Sequence, residues 1–408
     1  MSQGYLAGAK LIELQALTEP DRQITYGVVK PGPEDPESGV LFIRGGDIAN
    51  GAIATANLRT ITQEVSRPYG RTILRGGELV ISLVGNPGEV AVVPDSLAGA
   101  NLARQAGLIA LRPDVHAPYV KYYLMSPAGR AELFQRTQGA VQQVINLADL
   151  KQIKVRLPSI GHQVRIAGLL AAYDDLIENN RRRIALLEES ARLLYREWFV
   201  HLRYPGHEHV KIVDGVPEGW TVRTLGDVAE TNPSSYQAKE LPDEINYVDI
   251  SSVATGRIVS KTLMPAKTAP GRARRRAVDG NIIWSNVRPN LRGYALVLEP
   301  EENDVFSTGF TVLAARAVPF TWLYHFVTTD IFVGHLVNHA TGAGYPAVRP
   351  DDFERASVCV PPLALLKLFH EATEPNFRLV SKLEQQSRKL AEARDLLLPR
   401  LMSGEIAV

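Results

Sequence analysis

The chain repeats itself once, and that repetition limits what it can fold into more than any other feature. Laid against itself at an offset of 203 residues, Gly77-Glu78-Leu79-Val80-Ile81-Ser82 meets Gly280-Asn281-Ile282-Ile283-Trp284-Ser285. The register then holds without a gap: Gly139 meets Gly342, Asp149-Leu150 meets Asp352-Phe353, and Val155-Arg156-Leu157-Pro158 meets Val358-Cys359-Val360-Pro361. A period near 200 is far longer than a solenoid unit, so the repeat is a whole globular module together with the segment that trails it.

Each module is succeeded by a helix. From 160 to 200 a four-three spacing picks out Ile166, Leu170, Tyr173, Ile177, Asn180, Ile184, Leu187, Ala191, Leu194 and Trp198. Unbroken heptads with the charges elsewhere keep one stripe of a long helix facing another helix. Asn180 packs poorly on such a stripe but fixes its register against a single partner. The offset supplies that partner, because the stripe lands on Phe369, Val380, Leu383, Leu390, Leu397 and Leu401. Thr373, Asn376, Ser387 and Arg394 fill the remaining positions, and Pro375 is expected to start or kink this second helix.

In chain order, 1–158 alternates short β-rich runs with Gly/Pro/Asn turns, as in Asn86-Pro87-Gly88. One helix is expected over Pro118 to Arg136, with its tyrosines in the core. The first long helix comes next, over 159–201, then a Pro/Gly-rich linker from Tyr204 to Trp220. The second module lies within 202–362, with one helix expected over Thr321 to Asn338, and the second long helix and tail occupy 363–408. The fold class is α+β: two duplicated mixed α/β modules and two long helices. The frame repeats, but 251–276 bears little relation to 46–73, so one scaffold carries two unlike loop sets, as a reader of two different targets would need.

Composition excludes several classes. The 408 residues are 45% hydrophobic and 22% charged, ordinary for a globular protein rather than a disordered one. One cysteine, Cys359, rules out an internal disulfide framework and suits a reducing cytoplasm. The start, MSQGYLAGAKLIELQAL, lacks a basic n-region with a cleavage site, and no apolar run approaches membrane-spanning length. A net charge of +1 means that polyanion binding must come from local clusters.

The sharpest cluster is Arg272, Arg274, Arg275 and Arg276, with Lys267 before it and Arg288 and Arg292 after it. Between 267 and 292 stand seven basic residues and one acid. Arginine forks match guanine edges and phosphate oxygens, and asparagine matches adenine, so this cluster with Asn286 and Asn290 suits groove reading. A solvated surface loop is the plainer alternative. Tyr345 and Arg349, in the loop 341–349, join the set because that loop stands opposite 138–146 in the duplicated frame. The first module offers Arg44, Arg59, Arg67, Arg71, Arg75, Asn86, Gln138, Gln142 and Gln143, any of which could be ordinary surface. Arg181-Arg182-Arg183 reads as a solvated helix face or a phosphate contact. His201, His207, Glu208 and His209 lack the paired spacing of a metal site. Pro350-Asp351-Asp352 with Glu354 looks like part of a nuclease motif, but no lysine stands at the right place after it and Asp352 aligns with Asp149, so it is read as structural.

Phosphate-loop, dinucleotide-binding, zinc-protease and CxxC patterns are absent, as is the Asn-Pro-Pro-aromatic signature of amino-methylating enzymes. The glycine-acid-apolar strand start at Gly77-Glu78-Leu79, the loop before strand-Leu157-Pro158, Glu178-Asn179-Asn180, Leu194 to Phe199, and the terminal Leu398-Pro399-Arg400-Leu401-Met402-Ser403-Gly404-Glu405-Ile406 together resemble the DNA-specificity subunit of type I restriction-modification systems. The likeness covers essentially the whole chain. It implies a subunit without catalytic activity whose helices form an antiparallel coiled coil between two target-recognition domains, each reading half of a split duplex DNA site. It further implies two modification subunits that bind S-adenosylmethionine and methylate adenine, and restriction subunits that use ATP and Mg. A non-enzymatic coiled-coil adaptor whose modules bind protein is the alternative, and a methyltransferase complete in one chain is a third.

Overall fold

The computed structural model describes residues 9–139, 143–237 and 239–408, with Gln138 described by its backbone alone. The first eight residues, part of the start read for a leader, lie outside that range. Contacts gather the chain into two compact units, Met1–Asn179 with Ser387–Val408, and Asn180–Gln386. The division runs through both long helices, Ile160–Tyr195 and Leu363–Ser403, so each unit holds one module and a stretch of each helix.

Each module is built around the strand that the repeat aligns. In the first unit Leu79–Ser82 lies within a four-stranded sheet, between Ala106–Ile109 and Val90–Val92, both antiparallel to it. All four of its residues are buried, because both faces of the sheet are covered. Leu79 and Ile81 enter one core with Tyr119, Tyr122 and Ile166, while Val80 enters another with Ile43, Leu102 and Leu108. The second unit repeats this with Ile282–Ser285 in a five-stranded sheet. There Ile282 and Trp284 join the core that receives the helices, and Ile283 joins the other with Val312 and Ala295.

The glycine-acid start has a local purpose in both modules. Gly77 and Gly280 take positive φ, 82° and 80°, in the turn before the strand. Glu78 Oε1 then accepts the Arg75 N–H at 2.8 Å, and Asn281 Oδ1 accepts the Val278 N–H at 3.0 Å. Glu78, unlike Asn281, also meets the buried Arg22 guanidinium, at 2.9 Å.

Several expectations are corrected. The helix expected over 118–136 is two, Ala117–Met125 and Pro127–Gln135, because Ser126 turns extended ahead of Pro127 and its hydroxyl accepts the Gly129 N–H. The second module breaks at the equivalent place into Phe320–Val327 and Asp330–His339, with Thr329 as the cap. The linker 204–220 is structured: Ile212–Val213 pairs with Val216–Pro217 around Asp214-Gly215, both at positive φ, and Tyr204 lies 5.5 Å from Trp220, ring to ring. Strands also form where none was expected, among them one at each module's start. Lys10–Glu13 pairs with Lys154–Leu157, and Thr221–Thr224 with Ser357–Val360.

The first long helix closes with a π-turn over Arg196–Val200, where a plain helix to 201 was expected. The second begins at Leu363, well ahead of Pro375, and passes through it. Leu366 and Phe369 pin the earlier turns into the second unit's core, and the carbonyl that Pro375 leaves unpaired belongs to the exposed Glu371.

Within each unit the two helices run antiparallel. In the first, Ile166 and Leu170 share a core with Leu398, Leu401 and Met402, while Tyr173 and Leu397 are half-buried. Arg394, a charge on the stripe, is satisfied by Asp174 at 2.7 Å, and Asp174 also accepts the Tyr122 hydroxyl at 2.6 Å and faces Lys121 at 3.4 Å. Burial raises the Asp174 carboxyl, but Tyr122 and Arg394 outweigh it and hold the carboxyl below its usual range. Ile177 and Leu390, also of the first unit, are half-buried; in the second unit Ile184, Ala191 and Leu383 are buried and Leu187, Leu194 and Val380 half-buried. Asn180 is buried and donates across to Gln386 at 3.3 Å, a cross-helix bond of the kind that fixes register.

The place of Tyr122 is taken in the second module by His325, packed among Tyr195, Tyr324, Phe369 and Phe377. Burial, with a smaller push from Arg192, lowers its pKa from 6.5 to about 3. Between those values the unfolded chain binds a proton that the folded one refuses, so this group's contribution to stability falls as pH falls from 6.5 toward 3, by at most about 1.4 kcal/mol per pH unit. His325→Leu is expected to flatten that part of the unfolding free-energy profile of the second unit, measured by denaturant titration at stepped pH. An unchanged slope between pH 6 and about 4 would show that the histidine is not held neutral.

Candidate nucleic-acid interface

Three loops come together at one end of each module, two of them held by the same hydrogen bonds and the third by a bond one residue out of register. In the second module Val287 bridges Ala347, the Arg288 N–H donates to Pro346 O at 2.7 Å, and the Val348 N–H donates to Asn286 O at 2.9 Å. In the first, Val84 bridges Val144, the Gly85 N–H donates to Gln143 O at 3.1 Å, and the Ile145 N–H to Leu83 O at 2.9 Å. Every partner is displaced by 203 residues, so the frame found by self-comparison is also the frame that places these loops. The third loop is the turn into the neighbouring strand: Leu83 N–H donates to Gln105 O, and Asn286 N–H to Gly309 O, both at 2.8 Å.

On this shared frame the side chains differ. In the second module the arginine cluster is an edge strand, Ala273–Arg275, with a register irregularity, rather than a loop. The cluster divides by burial, its middle pair being half-buried and its outer pair exposed. Arg274 bonds the Ala273 carbonyl at 2.8 Å, and Arg275 donates to Ser235 Oγ at 3.0 Å, its pKa lowered by burial. Arg272 and Arg276 are the exposed pair, the first donating to the Tyr247 hydroxyl at 3.2 Å, the second lying over the Tyr236 ring at 5.7 Å. The Arg272 carbonyl accepts the Thr308 N–H at 2.8 Å, which ties the strand to the three loops. Lys267 stands apart, in the turn after Thr262–Pro265, the strand at the opposite edge of that sheet.

Asn286 is a latch: its side chain accepts the Thr311 hydroxyl at 2.7 Å while its backbone holds two loops. Asn290 is exposed and makes no side-chain bond among the described residues. Arg288 lies with its guanidinium 4.6 Å from the Tyr345 ring centre, and Arg292 is paired with Asp330. Arg349 keeps an exposed side chain while its backbone N–H donates to Asp352 at 2.8 Å, opening the helix Pro350–Glu354. That accounts for Asp352 structurally, as the hydrogen bond from the Thr231 hydroxyl does for Glu354.

In the first module Arg44 is tied to Asp47 at 2.9 Å, and Arg59 to the Gly32 carbonyl at 2.6 Å and to Glu34 at 3.2 Å. Arg67, Arg71 and Asn86 are exposed without side-chain partners among the described residues, and Arg75 stands 3.9 Å from Glu19. Gln143 is exposed; Gln138 pairs by backbone with Val144, and Gln142 lies outside the described residues. Sequence reasoning missed Arg104, exposed in the third loop, whose signal is its place in the repeat near Thr308. Arg181, Arg182 and Arg183 are exposed on the first long helix. Among the described residues no group of three or more His, Cys, Asp or Glu is placed to hold a metal ion, and no helix is long and apolar enough to cross a membrane.

Residues 34–189 match the family model described as the type I restriction modification DNA specificity domain. The MjaIX specificity subunit of Methanocaldococcus jannaschii, a type I restriction enzyme subunit, is 24% identical over 86% of this chain and 82% of its own length. A type I DNA-specificity domain thus occupies 34–189. The EcoBI specificity subunit of Escherichia coli is 32% identical over 40% of this chain and 35% of its own. The fold is that of the crystal structure of a type I restriction-modification S subunit from M. genitalium, with a TM-score of 0.61 and 15% identity over 97% of this chain and 96% of that one. The family-model match takes in most of the first module and much of the first long helix. The second module carries the same frame by repetition.

Proposed function

We propose that this chain is a specificity subunit that reads a split duplex site, the module within 1–158 taking one part and the module within 202–362 the other. The observation that carries the reading is the pair of three-loop faces: one hydrogen-bonded frame presents amides and small residues in the first module, and arginines with a tyrosine in the second. On this reading the exposed Asn86, Gln143, Asn290 and Arg349 serve as base-edge readers, and the exposed Arg67, Arg71, Arg104, Arg272 and Arg276 as phosphate contacts. The chain performs no chemistry of its own on this reading. Two modification subunits bring S-adenosylmethionine and methylate adenine, and restriction subunits bring ATP with Mg, all in the cytoplasm; these assignments rest on the family likeness.

Affinity for duplex DNA is then expected to fall steeply with salt, since each neutralised phosphate contributes about 0.9 to the log-log slope. Arg272→Ala with Arg276→Ala should reduce that slope by about two while leaving base preference intact, whereas Arg274→Ala and Arg275→Ala should do less because those side chains are tied to the protein. Titration at several salt concentrations checks this. A slope unchanged in the double variant, or binding insensitive to salt, would favour modules that bind protein.

A further inference from the structure

Tyr345 is 73% exposed at the tip of its loop, an unusual place for a large aromatic side chain in a segment this tightly held. Thr341 and Ala347 exchange both backbone hydrogen bonds at 2.9 Å, closing the loop at its base. At the tip, the Arg288 guanidinium lies 4.6 Å from the ring centre and its Nη2 donates to Gly344 O at 3.2 Å. Arg288 reaches this position from a left-handed backbone, φ 50°, that a non-glycine residue adopts at a cost, so the brace is built into the fold. One face of the ring is thus covered by a cation and the other faces outward, already oriented. On the facing loop, Leu291 is 63% exposed. The equivalent loops of the first module, 83–89 and 137–146, contain no aromatic residue.

We propose that Tyr345, braced by Arg288, stacks on a base at a partly unstacked step within the half-site read by the second module. This rests on the split-site reading above. Aromatic and apolar side chains that enter a duplex do so where a base step opens, and they draw sequence preference from how readily that step deforms. The cation behind the ring also draws the phosphate backbone toward the same spot. The two modules accordingly differ in physics as well as in residues: the first reads an undistorted half-site by hydrogen bonds, and the second reads deformability in addition.

The test uses the full chain with its modification subunits and a duplex carrying the site mapped by methylome sequencing, with 2-aminopurine placed in turn at each position of both halves except the methylated adenines, which a methyltransferase extrudes whatever Tyr345 does. Fluorescence should rise on binding at one position of the half read by the second module and at none in the other. Tyr345→Ala should abolish the rise and weaken binding about tenfold to hundredfold with the salt slope unchanged, whereas Tyr345→Phe should preserve both, since the ring does the stacking. No rise in the wild-type complex, or a rise that survives in Tyr345→Ala, overturns the proposal while leaving the split-site reading intact. A wild-type complex that does not prefer the mapped duplex over a scrambled one overturns both.

Discussion

Replacing Glu78 by alanine is expected to destabilise the first module by about 3–5 kcal/mol, most of the stability of a typical domain. The Arg22 and Glu78 side chains are 6% and 7% exposed and 2.9 Å apart, so removing the carboxylate strands a buried guanidinium with the Ile73 carbonyl as its remaining acceptor. The intact pair itself contributes little: Glu78 Oε2 is buried without a partner, so desolvation is incompletely offset. The loss comes from breaking the pair. Glu78→Gln should keep the Arg75 cap, as Asn281 keeps the Val278 cap, yet lose most of the same stability because Arg22 remains charged. Arg22→Met with Glu78→Gln should recover much of it, since a buried pair exchanged for apolar and neutral groups is often near neutral. Denaturant unfolding monitored by hydrogen exchange in each unit measures this. A loss below about 1 kcal/mol in Glu78→Ala would mean that Arg22 reaches water.

The repeat made the frame legible because the same buried positions recur at a fixed offset. Leu79–Ser82 and Ile282–Ser285 became central strands, the heptad stripe became a helix pair, and Asn180 found a cross-helix partner. What resisted reading depended on context. Lys10–Glu13 and Thr221–Thr224 are too short and too exposed to show a pattern, and exist because a partner strand waits about 140 residues away in the chain. Ser126 and Thr329 each divide a helix locally, the hydroxyl donating back to the Tyr123 or Phe326 carbonyl and accepting the Gly129 or Phe332 N–H of the next helix. Pro375 looked like a boundary until the buried residues around it outweighed a missing hydrogen bond. At the candidate interface, composition found the arginines but not their partners. Arg44, Arg59, Arg275 and Arg292 are occupied by Asp47, Glu34, Ser235 and Asp330, several of them distant in sequence.

The other large effect is on specificity, and it is one-sided. If each module reads its own part of the site, removing a bidentate base contact costs about 1–3 kcal/mol, tenfold to more than hundredfold, at the bases that module touches and nothing elsewhere. Asn290→Ala with Arg349→Ala is therefore expected to relax one part of the site, and Asn86→Ala with Gln143→Ala the other. All four side chains are exposed and lie on loops whose backbone bonds survive truncation, so the fold should be retained. Methylome sequencing of a host carrying this chain with its modification subunits, wild type beside the two double variants, reads this without an intermediate step. Split-site recognition predicts adenine methylation at a two-part motif with an unread gap, and relaxation of one different part in each variant. A single continuous motif, or a variant in one module that alters both parts, would contradict it.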